Sequence, residues 1–205
     1  MLAEFSEDRR PGRWKLRASL VAAGVLGVAG MGLTAGSVSA TPADCSSPTI
    51  MGTDGPDTLV GTDGNDVIDA KAGDDVVNGK KGDDVICGRA GDDDIRGAAG
   101  DDDIRGGGGN DTIRGNEGND RVLGNDGDDR ILGGRGNDRL LGGLGDDNIS
   151  DSPDGPDSDS LSGGPGNDVL NSQDNDPNDS IDGGSGVNVC TADEGDTVNC
   201  EAQPT

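Results

Sequence analysis

Aspartate recurs at a fixed nine-residue spacing over a long central part of this 205-residue chain. From Gly52 to Ser150 the sequence divides into eleven consecutive nonapeptides without insertion or deletion, and position six of each is aspartate. These residues are Asp57, Asp66, Asp75, Asp84, Asp93, Asp102, Asp111, Asp120, Asp129, Asp138 and Asp147. The whole chain carries a formal net charge of -25, which opposes compaction unless cations compensate it. The phased carboxylates therefore indicate cation binding.

Two further columns keep the same phase as the aspartates. Position four is glycine in all eleven nonapeptides, and position eight is always Leu, Ile or Val, from Leu59 through Ile149. Position five is Asn or Asp except at Pro56. A disordered acidic tract would match the composition, but it would not hold three columns in phase over 99 residues. The pattern is typical of a folded repeat protein.

The columns predict one turn and one short strand in each nonapeptide. Glycine at position four, and usually at position one, permits a positive φ, and Asn or Asp at position five tolerates a similar geometry. Positions one to six are therefore predicted to form a turn. Positions seven to nine are predicted to form a strand, with the aliphatic side chain at position eight inward and its neighbours outward. One inward residue per nonapeptide makes a core only when successive coils stack.

The pattern resembles the RTX (hemolysin-type) calcium-binding repeat G-G-x-G-x-D-x-U-x, in which U is a large aliphatic residue. The resemblance implies an all-β fold, a calcium-stabilised parallel β-roll or right-handed β-solenoid. Two nonapeptides would make one coil, so that each stacks on the second one along the chain. The main departure is at position two, where the eleven nonapeptides carry glycine only at Gly107, Gly134 and Gly143.

The same resemblance implies where calcium binds. In the family an ion lies between two stacked coils and takes main-chain carbonyls and the position-six aspartate from each, an oxygen-only donor set that suits Ca²⁺. Asp57 is therefore expected to share an ion with Asp75, and so on to Asp129 with Asp147, giving at most nine sites among the eleven nonapeptides. Asp168, in the clean repeat GGPGNDVLN, is expected to be a further ligand. Multiple Ca²⁺ ions are thus predicted to be bound.

Composition excludes several kinds of function. Leu, Ile, Val and Phe total 37, and only 27 of them follow residue 40, so an ordinary core of large side chains is ruled out. The only aromatic side chains, Phe5 and Trp14, precede residue 40, which rules out aromatic stacking on bases or sugars. The chain has no histidine and no G-x-S-x-G motif, and the repeat explains its carboxylates. We therefore expect no enzyme activity.

The first 40 residues are predicted to form a cleaved signal peptide. Five basic residues between Arg9 and Arg17 precede an uncharged stretch from Ala18 to Gly36, and residues 38–40 offer small side chains to signal peptidase. A membrane-spanning anchor is the alternative, but the stretch is rich in Gly and Ala and no basic stop-transfer cluster follows it. We therefore expect a secreted, extracellular protein without membrane insertion after cleavage.

Cleavage would make the chain more acidic. Five of the 16 basic and three of the 41 acidic residues lie in the leader, which leaves 11 basic and 38 acidic residues, a net charge of -27. Such a chain repels the phosphates of nucleic acids and anionic membranes. The expected partners are therefore calcium ions and not nucleic acid, and folding is expected to be coupled to calcium binding. No motif identifies a protein or cell-surface partner.

The sequence predicts four segments after the leader. Residues 41–51 are expected to form an N-terminal cap segment, 52–150 the regular repeats, 151–182 irregular repeats with insertions, and 183–205 a C-terminal cap and tail.

Three residues in the irregular part, Asp174, Asp176 and Asn178, have the spacing of an EF-hand loop. An EF-hand is excluded because Asp179 replaces the required glycine and Ser185 replaces the bidentate glutamate.

Four cysteines in an exported chain favour two disulfides over thiol catalysis. Cys190 and Cys200 flank a short loop near the C-terminus and are expected to pair, which leaves Cys45 and Cys87 for the other bridge. Both bridges would lie near an end of the roll, where fraying of a stacked repeat begins.

Together these patterns predict a secreted calcium-binding protein whose repeats fold as they bind ions. The alternative is a structural or adhesive protein of the cell surface or matrix that calcium stiffens. The sequence does not separate the two.

Overall fold

A computed structural model describes residues 45–151, 157–174 and 178–200. In these ranges every regular element is a β-strand. The strands are β1 (Ile50–Met51), β2 (Thr58–Val60), β3 (Val67–Asp69), β4 (Val76–Lys81), β5 (Val85–Ala90), β6 (Asp94–Ala99), β7 (Asp103–Gly108), β8 (Thr112–Glu117), β9 (Arg121–Asp126), β10 (Arg130–Arg135), β11 (Arg139–Leu144), β12 (Asn148–Ser150), β13 (Ser160–Pro165), β14 (Val169–Asn171), β15 (Ser180–Ser185), β16 (Val189–Thr191) and β17 (Thr197–Asn199).

The strands form two parallel sheets that the chain visits alternately. The odd-numbered strands form a nine-stranded sheet and the even-numbered strands an eight-stranded one, each in sequence order. Within the regular repeats each residue pairs with its counterpart two nonapeptides later, as Leu59 does with Val77. Two nonapeptides therefore make one coil, and the predicted all-β parallel β-roll is confirmed.

The strands are longer than the sequence predicted. In the central coils each covers six residues, from position seven to position three of the next nonapeptide, as in β4 (Val76–Lys81). The prediction that positions one to three belong to a turn is wrong there. Parallel ladder hydrogen bonds use only main-chain groups, and position one already donates along the sheet, as Gly61 N–H does to the Asn78 carbonyl at 2.8 Å.

The core is one cluster of aliphatic side chains from position eight, contributed alternately by the two sheets. From Ile68 to Ile149 each of these side chains is at most 1% exposed, and Leu161, Leu170 and Ile181 continue the stack. Burial of each one stabilises the fold by about 2 kcal/mol relative to its exposure.

Glycine at position one also faces inward, for a reason that the sequence analysis did not identify. Its φ lies outside the left-handed region, so the predicted need for a positive φ is wrong at this position. A Cβ on Gly106 would instead lie 3.0 Å from the Gly124 carbonyl oxygen in the next coil and would overlap the Asp111 carboxylate. Position one is therefore small because the coils approach each other closely.

Position two, in contrast, requires a positive φ in most coils. Gly107, Gly134 and Gly143 adopt it without strain, with φ between 129° and 133°. Six other residues hold φ between 79° and 95°, a region that costs a side-chain-bearing residue about 1 to 2 kcal/mol. These residues are Lys71, Lys80, Arg89, Ala98, Asn116 and Asn125.

The two sheets continue through the irregular repeats with a changed register. Arg139 pairs with Ser160, and Ser160 pairs with Ser180, so both of these steps along the sheet span more of the chain than a step between regular repeats. The last step, from Ser180 to Thr197, spans slightly less than a regular one. The position-eight column is therefore maintained across the changes of register.

Both predicted disulfides are confirmed. Cys45 is bonded to Cys87 with a Cα–Cα distance of 6.4 Å, and Cys190 to Cys200 with a Cα–Cα distance of 6.2 Å. The first bridge holds the segment before β1 against the roll, and the second holds the last strand.

The predicted signal peptide lies outside the described residues. Within the described ranges there is no helix of the length and apolar character needed to cross a membrane.

Candidate metal centres

The position-six aspartates are buried beside the core. Asp111 is 1% exposed, and the other central members of the column are similarly enclosed. Each precedes a strand, so the alternation of side chains places it on the same side as positions eight and one. The sequence analysis placed these residues in a turn and did not predict their burial.

One carboxylate oxygen of each buried aspartate links two coils. The Asp93 N–H donates to Asp111 Oδ1 at 2.9 Å, and the Asp111 N–H donates to Asp129 Oδ1 at 2.8 Å. The same contact joins Asp57 to Asp75 at 2.7 Å and, across the register change, Asp147 to Asp168 at 2.9 Å. The structure thus brings together the aspartates that the resemblance pairs.

The second carboxylate oxygen, Oδ2, is buried without a donor from the described part of the protein. This holds for Asp75, Asp84, Asp93, Asp102, Asp111, Asp120, Asp129, Asp138, Asp147 and Asp168. A buried carboxylate oxygen that lacks a donor or a cation carries a large desolvation penalty.

A main-chain carbonyl lies on the same side of the coil as Oδ2. Asp111 Oδ2 and the Gly124 carbonyl oxygen of the next coil both lie beside the position that a Cβ on Gly106 would occupy. Both atoms are hydrogen-bond acceptors, and carboxylate and carbonyl oxygens are the ligands that a hard cation prefers. The donor chemistry therefore fits Ca²⁺.

The pKa values of these carboxyl groups show the cost of this burial. Burial raises the pKa of Asp93 to about 6, of Asp111 to about 7 and of Asp138 to about 8. The N–H group that each carboxylate accepts lowers its pKa, and neighbouring carboxylates raise it further. Near neutral pH the column would take up protons unless a cation provides the positive charge.

The first two aspartates have a different environment. Asp57 Oδ2 accepts the Thr53 N–H at 2.6 Å and the Thr53 hydroxyl at 2.9 Å, and Thr62 makes the same two contacts to Asp66 Oδ2. These N–H donors, followed by the threonine hydroxyls, lower the pKa of both carboxyl groups. Threonine at position two, four residues before each aspartate, was the sequence signal for this difference, and the sequence analysis did not use it.

Near the C-terminus one position-six aspartate is replaced by Asn188. Its Oδ1 accepts the Asp168 N–H at 2.8 Å, as an aspartate would. Its Nδ2 lies against Gly183, in the place that Oδ2 of an aspartate takes beside glycine in other coils. This Nδ2 donates to the Gly183 carbonyl at 2.8 Å. An amide donor at this place thus satisfies the position-one carbonyl without a cation.

Position five forms a second ladder, which the sequence analysis missed. The Asn119 N–H donates to Asp101 Oδ1 at 2.7 Å, and the Asn137 N–H donates to Asn119 Oδ1 at 2.9 Å. The predicted reason for Asn or Asp here, tolerance of a positive φ, is wrong, because none of these residues has one. Their side-chain oxygens instead join exposed turns of successive coils.

The repeats match one known family. Its model, described as RTX calcium-binding nonapeptide repeat (4 copies), matches residues 51–86, 88–122, 114–149, 154–176 and 173–198. The matched segments cover more than half of the chain and include the irregular repeats. A search of curated proteins finds no match.

Proposed function

The chain belongs to the family of RTX calcium-binding nonapeptide repeat proteins, and we propose that it is an exported, non-enzymatic protein whose roll folds as it binds calcium. Binding of Ca²⁺ follows from the family. The single observation that carries the proposal is the row of buried Oδ2 atoms from Asp75 to Asp168 that receive no hydrogen bond from the described residues.

The residues proposed to hold the ions are the position-six aspartates together with main-chain carbonyls of the same coils. Within the regular repeats, Asp75 to Asp147 offer Oδ2 atoms that lack a protein donor in the described ranges, and Asp168 adds one in the irregular part. Asp57 and Asp66 are proposed as weaker ligands, because their threonine donors already occupy the same oxygen. Bound calcium would supply the positive charge that this oxygen-only environment requires.

Coupling of folding to binding follows from the charge of the column. Successive coils stack buried carboxylates on one another in a protein whose core has one aliphatic residue per nonapeptide. Ligands that bind only the folded chain stabilise it by mass action, and the sites exist only when two coils stack. We therefore infer that the chain without calcium is largely unfolded near neutral pH.

Export and the lack of enzyme activity are supported by independent features. Two disulfides suit an oxidising compartment, and the basic and apolar pattern of residues 1–40 suits a cleaved leader. The chain contains no histidine, and the buried aspartates of the repeats are used in stacking the coils. Recovery of a chain beginning at Thr41 from culture medium would test the export part.

Calcium titration of the purified, disulfide-bonded chain tests the central proposal. We expect circular dichroism to change from a largely unfolded spectrum in chelator to a β spectrum as calcium is added, with cooperative dependence on its concentration. Magnesium at the same concentration is the control, because Mg²⁺ is smaller than Ca²⁺ and gives up its bound water molecules reluctantly. A chain equally folded in chelator and in calcium would contradict the proposal.

A further inference from the structure

Four carboxylates converge where the first insertion interrupts the repeats. Asp151, Asp157, Asp159 and Asp174 each place one oxygen so that all four oxygens lie within 4.8 Å of one another. Asp159 is 2% exposed, and Asp151 and Asp174 are 6% exposed. Only Asp159 occupies position six of a nonapeptide, so the regular pattern does not produce this cluster.

The coil beneath explains how three of these side chains are held. Gly134, Gly136 and Asp138 occupy positions two, four and six of the nonapeptide GGRGNDRLL. Their N–H groups donate to Asp151 Oδ1 at 3.2 Å, Asp157 Oδ2 at 2.9 Å and Asp159 Oδ1 at 2.6 Å. In a regular coil the position-four N–H donates to a carbonyl instead, as Gly118 does to Arg135 at 2.9 Å. At the insertion, a carboxylate has replaced the main-chain carbonyl as acceptor.

The other oxygen of each of these three carboxylates is buried without a partner. Asp151 Oδ2, Asp157 Oδ1 and Asp159 Oδ2 receive no hydrogen bond from the residues that the structure describes. The ion pairs in those ranges join Arg and Lys to other acidic residues. Asp151 and Asp159, each at least nine-tenths buried, thus belong to a cluster of four carboxylates and each carry one oxygen that receives no hydrogen bond.

We propose that Asp151, Asp157, Asp159 and Asp174 form a calcium site built from side chains, separate from the repeat sites that combine two aspartates with main-chain carbonyls. The identity of the cation rests on the proposed function. Four carboxylates bring twice the formal negative charge of a repeat site, and the number of charged ligands raises calcium affinity. The site joins the residues on both sides of the insertion to the coil beneath, at the point where the pairing register of the sheet changes.

Paired amide substitutions test this site. Asp151→Asn with Asp157→Asn keeps an oxygen for the Gly134 and Gly136 donors but removes two of the four charges. The matched control is Asp128→Asn with Asp146→Asn, which removes two charges from exposed position-five residues. Asparagine occupies the same column elsewhere in the roll and accepts the same ladder bond, so the control should retain its ladder.

Native mass spectrometry of the calcium-loaded chains provides the measurement, and circular dichroism verifies that each chain is folded. We expect the site variant to bind one ion fewer than the unmodified chain and the control to bind the same number. During graded chelation the unmodified chain and the control should retain one ion at a free calcium concentration at least about ten-fold lower than the variant does.

The outcomes separate this inference from the proposed function. Equal ion numbers and equal retention in all three proteins would overturn the side-chain site. Absence of bound calcium from all three would overturn the proposed function instead. If the double variant does not fold in calcium while the control does, Asp157→Asn alone replaces it, because Asp157 is only half-buried. That single variant should retain its last ion less tightly than the control, and unchanged retention would overturn the inference.

Discussion

The first two nonapeptides and the central ones use the same aspartate in different ways. In the first coil Thr53 and Thr62 donate to the carboxylate oxygen that remains without a donor at Asp75 and beyond. Near the C-terminus Asn188 replaces the aspartate, and its Nδ2 is itself a donor, to the Gly183 carbonyl. Protein donors therefore satisfy the position-six column near both ends, and we propose that a cation does so in the middle. On this proposal, calcium dependence belongs to the central coils more than to the first and last ones.

The largest expected effect is the response of the calcium-free chain to pH. Burial raises the pKa of the central carboxyl groups from the ordinary 3.8 to about 6 for Asp120, about 7 for Asp102 and about 8 for Asp138. The folded state thus binds protons more tightly than the unfolded state. This contribution to stability is fully present below about pH 4 and is lost as the pH rises through about 6 to 8.

We therefore expect the chain in chelator to gain β structure on acidification from pH 8 to pH 5. In saturating calcium the gain should disappear, because the chain is then already folded at pH 8 with the ion bound to the same oxygens. Circular dichroism at both pH values, with and without calcium, checks this expectation. A calcium-free chain that is less folded at pH 5 than at pH 8 would show that the central carboxylates are not buried as described.

The next effect compares a central with a terminal aspartate. Asp111→Ala removes the acceptor of the buried Asp93 N–H and an oxygen proposed to serve the ions on both sides of its coil. We expect a loss of about 2 to 4 kcal/mol in the free energy of unfolding, a higher calcium midpoint and lower cooperativity, since a central defect divides a stacked repeat. Asp57→Ala should only fray the end. Equal calcium midpoints for the two variants and the unmodified chain would contradict the comparison.

A smaller effect tests whether an amide can replace the ion. Asp111→Asn should reproduce the arrangement of Asn188, with Nδ2 donating to the position-one carbonyl of its own repeat. We expect the calcium-free form to become more stable by about 1 to 3 kcal/mol and fewer ions to bind. Asp128→Asn is the control, because this exposed position-five residue changes charge without entering the core. If both variants unfold at the same chelator concentration, the amide does not replace the ion.

The columns at positions four, six and eight predicted a stacked repeat and its core, and the resemblance to the RTX repeat supplied the two-nonapeptide coil and its stacking partners. The pairing of Cys45 with Cys87 followed by elimination, because Cys190 and Cys200 flank a short loop. What the sequence analysis missed depends on contacts between coils. The extended conformation of positions one to three is determined by main-chain ladder bonds, which one nonapeptide does not display.

The cluster around Asp159 illustrates the same limit. Asp151 and Asp174 lie on opposite sides of two nonapeptides in the sequence, and the insertion between coils has to be placed before they can be seen to meet. The threonine that donates to Asp57 could be seen in the sequence. Its role as a donor could be recognised only once Oδ2 was known to be buried without a donor in the other coils. Periodicity predicts stacking, whereas departures from periodicity acquire meaning only after the stack is known.

The smallest expected effect is on the free energy of unfolding, and it distinguishes position two of the first coil from position two of the central coils. Ala98 holds a φ of 95° in the central coils, whereas Thr53 lies outside the left-handed region and bonds to Asp57. Ala98→Gly should therefore raise the free energy of unfolding in saturating calcium by about 1 kcal/mol, since relief of backbone strain exceeds the added freedom of the unfolded chain. Thr53→Gly should lower it, because a donor is lost and no strain is relieved. Urea unfolding of both variants against the unmodified chain measures this difference, and a change of the same sign in both would mean that position two has one role throughout the roll.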